Sequence, residues 1–231
     1  MSEPGDDEEG EPTLGVLGGM GPDATVNFMS EVVAKTPAAR DKDHIETVVY
    51  NDPKIPDRNK AILEGAESPL PRMIRNAQRL ESMGVDIIAL PCNTAHYFYD
   101  DLAASVDIEI IHMIERTRER LEAQDLSAAG LLATSTVMET ELYRDVFRNS
   151  TVDLVYPNQT DRLMEAIYAV KEGRWETASE VTDSVVSEFK EQGLEAVIVG
   201  CTDLSVLSSD WDLSAVDPTE ILAEECVEAV Q

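Results

Sequence analysis

Two cysteines occupy matching places in the sequence. Cys92 stands in Leu90-Pro91-Cys92-Asn93-Thr94-Ala95-His96, and Cys201 stands in Val199-Gly200-Cys201-Thr202-Asp203, 109 residues later. Each follows an apolar, strand-like run and precedes small residues that can begin a helix. A thiol at a helix N-terminus can have its pKa lowered from about 8.5, so that the thiolate takes a proton or attacks carbon. Two thiols in matching contexts predict two halves facing one site.

The third cysteine and the histidines give weaker signals. Cys226 lies on an apolar helical stripe and is assigned to the core. His96 follows Cys92 by one helical turn, where it either caps, orients or tunes the thiol, or packs as an ordinary helix histidine. His44 and His112 have no ligand-like spacing to each other or to His96, so no metal site is predicted. Three cysteines without CxxC spacing indicate free thiols.

Strands and helices alternate along the chain and must position these thiols. Apolar runs alternating with helical patterns predict parallel strands covered on both faces. The predicted strands are 14–17, 47–50, 85–90, 108–111, from 129, 152–156 and 196–199. The predicted helices are 22–36, 71–83, 94–105, 113–123, 139–147, 161–172 and 175–192, with a last amphipathic helix after residue 216.

The two cysteine segments belong to a longer internal similarity. In both, the cysteine comes eight residues after a glycine, Gly84 or Gly193, and an acid stands second after that glycine. We therefore predict an α/β fold of two similar halves with mainly parallel sheets, related by pseudo-twofold symmetry, with the active site between them. The predicted domains are a disordered acidic tail at 1–12, a first α/β domain at 13–109 plus 214–231, and a second at 110–213. The last helix is expected to pack on the first half.

The composition limits the partners of the protein. Its 231 residues are 43% hydrophobic, and 46 acidic against 18 basic residues give a formal net charge of -28. Such a surface repels nucleic acid and anionic membranes. It resembles halophilic proteins of salt-rich cytoplasm, where the Debye length is ~3 Å near 1 M. No apolar run reaches about 18 residues, which predicts a cytoplasmic protein without a membrane span.

Small residues follow the first strand of each half. Gly19-Met20-Gly21-Pro22-Asp23-Ala24 fits the dinucleotide pattern G-x-G-x-x-A, but no acid stands about 20 residues later, so the match is weak. The preferred interpretation is that this turn lets the backbone approach a small ligand, which assigns Met20 and Gly21 to substrate binding. In the second half, Thr134, Ser135 and Thr136 either supply hydroxyls at the equivalent place or cap the next helix.

Four motifs in order carry a resemblance to a known family. They are Leu17-Gly18-Gly19-Met20-Gly21-Pro22, Pro53-Lys54-Ile55-Pro56-Asp57-Arg58, Pro91-Cys92-Asn93-Thr94-Ala95-His96 and Gly200-Cys201-Thr202. Together they resemble the aspartate racemases of the aspartate/glutamate racemase family. The similarity runs from about residue 14 to the C-terminus. Only the acidic tail lies outside it.

The resemblance implies a function and its residues. It implies a homodimeric racemase of aspartate that uses no pyridoxal phosphate or other cofactor, with Cys92 and Cys201 as the two acid/bases. Donors for the substrate's α-carboxylate are expected near Asn93, Thr94, Thr134, Thr136 and Thr202, while Arg58 and Lys171 match the positions that hold the side-chain carboxylate. Asp203 stands where the family usually has Glu, and Ser135 where it commonly has Gly.

Other functions stay open on the sequence. A glutamate or other acidic amino acid racemase is the nearest variant. Similar scaffolds isomerise maleate or decarboxylate malonates, although decarboxylases typically have a single cysteine. A non-catalytic amino acid binding protein of the same fold is the alternative from another class.

Overall fold

The computed structural model describes residues 11–124, 126–158 and 160–231. The predicted acidic tail, residues 1–12, lies almost entirely outside these ranges. Within them, no helix is long and apolar enough to cross a membrane.

Two four-stranded sheets form the centre of the structure. The first contains β1 (Leu14–Gly18), β2 (Thr47–Asn51), β3 (Ile87–Ala89) and β4 (Glu109–Ile111); the second contains β5 (Ala128–Leu131), β6 (Asp153–Val155), β7 (Ala196–Ile198) and β8 (Ser214–Val216). The strand orders are β2-β1-β3-β4 and β6-β5-β7-β8, the same topology twice, and the paired strands are parallel. The predicted fold class is confirmed. The domain boundaries stay a prediction; the sheets place β4 with the first half and β8 with the second.

Helices flank both sheets. Those up to the second sheet are α1 (Pro22–Lys35), α2 (Arg58–Glu64), α3 (Leu70–Ser82), α4 (Tyr99–Ala103) and α5 (Met113–Ala123). Those that follow are α6 (Ser135–Glu139), α7 (Leu142–Val146), α8 (Thr160–Lys171), α9 (Trp175–Glu191) and α10 (Pro218–Val230). Tighter 3-10 turns occur at Asp41–Asp43, Asn93–Phe98 and Thr202–Asp210.

Two predicted helices are interrupted in the structure. The segment 94–105 begins as the 3-10 turn Asn93–Phe98, in which the carbonyl of Cys92 receives the N–H of Ala95 and the ring of His96. The segment 139–147 is divided between α6 and α7, because Glu141 adopts a left-handed φ of 54° that a helix cannot continue through. The thiol of Cys92 therefore precedes a short turn and not the long helix that the sequence predicted.

The helix α10 packs on the first sheet, although the strand before it belongs to the second. Its buried residues Leu222, Ala223 and Cys226 contact a cluster that includes Leu14 of β1 and Phe28 of α1. The predicted core position of Cys226 and the predicted packing of the last helix are confirmed. Partly buried ion pairs from Glu224 to Lys35 of α1 and Arg120 of α5 join α10 to these two helices.

A close backbone contact holds the loop after β1 against the loop after β2. Gly19 has a φ of +97°, and a Cβ atom there would lie 2.3 Å from the backbone carbon of Asp52. The carboxylate of Asp52 accepts hydrogen bonds from Arg72 at 2.6 and 3.0 Å and from Asn76 at 2.8 Å. The bonded Arg72 guanidinium lowers the pKa of Asp52 to about 2. The two loops that carry Met20 and Arg58 are thus fixed to each other.

We expect Gly19→Ala to destabilise the protein by more than about 3 kcal/mol, because the new methyl group must displace backbone as well as adopt a left-handed φ. Gly84 also has a positive φ, +83°, but a Cβ there would meet open space. Gly84→Ala should therefore cost only about 1–2 kcal/mol. Urea unfolding at fixed salt measures both variants, and equal losses would contradict the close contact.

Candidate active site

Cys92 and Cys201 follow the third strand of each half, at its carboxyl end. Each has an extended backbone and precedes a 3-10 turn. Their exposed fractions are 7% and 6%. Both line one cavity, to which the first half brings Cys92 from the β3 end and the second half brings Cys201 from the β7 end. The equivalent segments of the duplicated fold thus meet at one place.

The cavity that contains both thiols is small and polar. Its volume is ≈ 50 Å³. A cavity needs about 10–15 Å³ to hold one water, so this one has room for ordered water beside the thiols. The lining residues are Met20, Arg58, Asn59, Cys92, Asn93, Thr94, Thr134, Lys171, Gly200, Cys201, Thr202 and Asp203.

Most of the residues predicted to form the site line this cavity. The exceptions are Gly21, which lies on an adjoining larger cavity, and Thr136, which is buried in the first turn of α6. Asn59 and Gly200 were not predicted, although each is the chain neighbour of a predicted residue. In the sequence, Asp203 is only a departure from the family pattern.

The thiol of Cys201 is hydrogen-bonded to a carboxylate, and that carboxylate forms an ion pair with a lysine. The Sγ atom of Cys201 donates to Oδ2 of Asp203 at 3.6 Å, and the same oxygen lies 3.3 Å from Nζ of Lys171. Burial and the charge of Asp203 raise the pKa of Cys201 well above its ordinary value, so this cysteine is held as a thiol. Burial opposes the charge of Lys171, but Asp203 and Cys201 outweigh it and raise the pKa of Lys171.

Arg58 is the second cation of the cavity lining. It is the first residue of α2, whose N-terminus is capped by the Asp57 side chain accepting the N–H of Lys60 at 3.0 Å. Its guanidinium donates to the carbonyls of Met20 at 3.1 Å and Pro56 at 3.2 Å. No acidic side chain pairs with it in the part of the chain that the structure describes. Its positive charge is therefore available to a ligand.

Hydroxyl and amide groups from both halves meet beside the thiols. The Oγ1 atoms of Thr94 and Thr134 lie 3.5 Å apart, and Thr134 also caps α6 by accepting the N–H of Val137 at 3.4 Å. The two interpretations of Thr134, cap and cavity hydroxyl, therefore hold together. Asn93 accepts from the hydroxyl of Tyr143 at 2.5 Å, while its buried Nδ2 has no partner among the described atoms.

His96 holds the backbone of Cys92 in place. Its Nε2 accepts the backbone N–H of Met113 at 3.1 Å, so that nitrogen carries no proton. Its Nδ1 must then hold the proton and donate it to the carbonyl of Cys92 at 2.9 Å. Burial, and after it the nearby His112, lower the pKa of His96 to about 3. The neutral ring thus joins the Cys92 turn to the start of α5, which favours the orienting role over simple packing.

Metal binding has no support in the described residues. No group of three or more His, Cys, Asp or Glu side chains there is arranged to hold a metal ion.

Comparison with known proteins identifies the family. Residues 17–226 match the family model Asp/Glu/Hydantoin racemase. The chain is 25% identical over 230 residues to the broad specificity amino-acid racemase RacX of Bacillus subtilis, covering 93% of this chain and 96% of that protein. Its structure is similar to Picrophilus torridus aspartate racemase, with a TM-score of 0.88, 31% identity, and 95% and 94% of the two chains covered.

More distant solved structures share the fold. Glutamate racemase from Francisella tularensis, in complex with D-glutamate, has a TM-score of 0.69 at 17% identity and covers 95% of this chain and 81% of its own. The chain belongs to the Asp/Glu/hydantoin racemase family, because the family model spans most of its length. This places it among the amino acid racemases, a class of isomerases.

We expect His96→Gln to make the free energy of unfolding depend less steeply on pH in the acidic range. Below a pKa of 6.5 a histidine of the unfolded chain takes up a proton, whereas folded His96 stays neutral down to about pH 3. As the pH falls through this window, the wild type should lose up to about 1.4 kcal/mol of unfolding free energy per pH unit from this group, and the variant none. Urea unfolding at a series of pH values and fixed salt compares the slopes. Parallel slopes would show that His96 is not held neutral.

Proposed function

We propose that this chain is an aspartate racemase that interconverts L- and D-aspartate by proton transfer at Cα between two cysteines, without pyridoxal phosphate. The observation that carries the proposal is the pair of buried thiols, one from each half, in a single polar cavity. A substrate lying between two such thiols has one on each face of its α-carbon.

The reaction needs only the two sulfur atoms as proton carriers. The thiolate of one cysteine removes the α-proton from one face and becomes a thiol. The thiol of the other cysteine gives its proton to the opposite face and becomes a thiolate. Atoms and charges balance without an oxidant or reductant, and the enzyme ends with the two protonation states exchanged.

The surroundings of the thiols define a starting state. Cys201 is held as a thiol by burial and by the carboxylate of Asp203. In this state Cys201 is the proton donor and Cys92 is the group that removes the α-proton. After one turnover the roles are reversed, and the positive charge of Lys171, 3.3 Å from Asp203, offsets the negative charge that has developed at Cys201.

The α-carboxylate must be bound because charge develops beside it when the proton leaves. Hydroxyls of Thr94, Thr134 and Thr202 line the cavity from both halves, and Nδ2 of Asn93 is a buried donor with no partner among the described atoms. Such preorganised donors stabilise a carbanion more strongly in a dry site than in water. Thr136 lies outside the cavity, so we assign it to the support of α6.

The side-chain carboxylate of aspartate is assigned to Arg58 and Lys171. They are the cations among the residues that line the cavity. In a protein of net charge -28, an anionic substrate needs local positive charge of this kind. Met20, whose carbonyl fixes Arg58, completes this side of the cavity.

The preference for aspartate has indirect support. The structure at TM-score 0.88 and 31% identity is named an aspartate racemase, while one relative is named for broad specificity and others are glutamate racemases. Racemisation of glutamate or another acidic amino acid is the alternative substrate, and binding without turnover is the alternative function.

We also propose a cytoplasmic, halophilic homodimer. The pairing surface would be an exposed apolar groove along α1 and β2, lined by Thr25, Val26, Met29, Ser30, Val33, Val49 and Asn51. Three exposed valines, Val26, Val33 and Val49, face this one groove. Exposed apolar patches of this kind typically mark interaction sites.

Exchange of the α-proton tests the racemase. Wild-type protein in D2O and high salt, without added cofactor, should incorporate deuterium into L- and D-aspartate and abolish the optical rotation of either. Cys92→Ala and Cys201→Ala should each lower the rate of racemisation about 10²–10⁴-fold, because each removes one acid/base. Cys226→Ala, which changes a buried thiol outside the cavity, is the matched control and should keep the activity.

A folded wild-type sample that neither exchanges the α-proton of aspartate nor racemises it would contradict this proposal. Calorimetric binding of aspartate without exchange would instead favour the non-catalytic alternative. Faster exchange of glutamate than of aspartate would keep the two-thiol chemistry and change the substrate.

The dimer is tested by placing a charged residue in its proposed pairing surface. Val33→Asp should weaken self-association by about tenfold or more, because it buries an unpaired carboxylate in an apolar interface. Met83→Asp, at an exposed apolar position beyond the end of α3, is the control and should keep the native mass. Light scattering after size exclusion, over a range of concentrations, gives the mass. A wild-type monomer, or dimers in both variants, would exclude this surface.

A further inference from the structure

A second, larger cavity adjoins the one that contains the thiols. It shares Lys171, Thr202 and Asp203 with it, so the two cavities adjoin at these residues. We call it the side chamber. Its volume is ≈ 580 Å³, against ≈ 50 Å³ beside the thiols. Small-molecule sites typically enclose about 300–1,000 Å³, so the side chamber has the size of a ligand site.

Both halves of the protein build the side chamber. The first half contributes the start of α1, and the second contributes the turn between α8 and α9. Beyond the shared residues the lining consists of Gly21, Pro22, Asp23, Ala24, Asn27, Val170, Gly173 and Trp175. Trp175, the first residue of α9, keeps 52% of its surface exposed and is the one aromatic ring of this lining.

The charges of the side chamber do not suit an acidic group. Its one cation, Lys171, is already paired with Asp203 at 3.3 Å. Asp23 adds a second carboxylate to the lining, which contains no further cation. A carboxylate entering beyond Lys171 would therefore meet net negative charge, whereas a neutral apolar group would meet Pro22, Ala24 and the Trp175 ring.

We propose that the side chamber is a subsite for the side chains of neutral apolar and aromatic amino acids, which react between the same two thiols. This inference rests on the proposed two-thiol racemisation. A substrate with its α-carbon between the thiols extends its side chain toward Lys171, where the carboxylate of aspartate stops. A longer neutral side chain continues past Lys171 into the side chamber and packs on Trp175.

The test compares phenylalanine and methionine with aspartate. Wild-type protein in D2O and high salt should exchange the α-proton of all three. Trp175→Ala should lower the ratio of kcat/KM for phenylalanine to kcat/KM for aspartate about tenfold or more, since the ring that binds the longer side chain is lost. Trp175→Phe should restore most of the ratio. Tyr168→Ala is the matched control, because Tyr168 of α8 is an equally exposed aromatic, at 54%, outside the side chamber.

Two outcomes would overturn the subsite. One is exchange of aspartate without exchange of phenylalanine or methionine, which leaves the proposed function intact. The other is an equal effect of Trp175→Ala and Tyr168→Ala on the ratio.

A binding measurement separates the subsite from the catalytic proposal. The chain has two tryptophans, so Trp211→Phe leaves Trp175 as the fluorescent reporter. Methionine and phenylalanine should each change its emission saturably, even in the Cys201→Ala background where racemisation is slowed. Absence of any saturable change contradicts the subsite, whereas loss of aspartate exchange alone contradicts only the racemase.

Discussion

The packing of α10 on the first sheet determines how the two halves meet. The helix follows β8 of the second sheet after a single residue, Asp217, whose buried side chain caps it by accepting the N–H of Thr219 at 2.7 Å. Its apolar face is buried against β1, α1 and the start of α5. Because the link is one residue long, the helix can bury that face only when the second sheet lies in one orientation to the first. The relative placement of Cys92 and Cys201 depends on this burial.

The duplicated fold carries a site that is not symmetric. Cys92 is supported by His96, a neutral ring that uses both nitrogens to hold the backbone. Cys201 is instead flanked by the ion pair of Asp203 and Lys171, which acts on its charge state. The same strand order thus presents two thiols with different electrostatic surroundings. In the proposed reaction this difference gives the enzyme a preferred protonation state before substrate binds.

The local patterns of the sequence predicted seven of the eight strands and the meeting of the thiols, but not β8. The strand runs and the repeated glycine, acid and cysteine spacing predicted the two halves, and α5 has the predicted bounds, Met113–Ala123. The features that the sequence did not predict depend on contacts between residues that are distant along the chain. The turn after Cys92 is held by the hydrogen bond that the N–H of Met113 donates to His96, and Asp203 pairs with a lysine 32 residues earlier. Thr136 is buried in the first turn of α6 and is not among the residues that line the cavity.

The contact between Thr94 and Thr134 joins the two halves at the site itself. The two hydroxyl oxygens belong to different halves and lie 3.5 Å apart at the lining of one cavity. The distance between them therefore reports how closely the halves approach each other beside the thiols. In the proposed reaction, a substrate carboxylate that accepts from both hydroxyls would connect the two halves through the ligand.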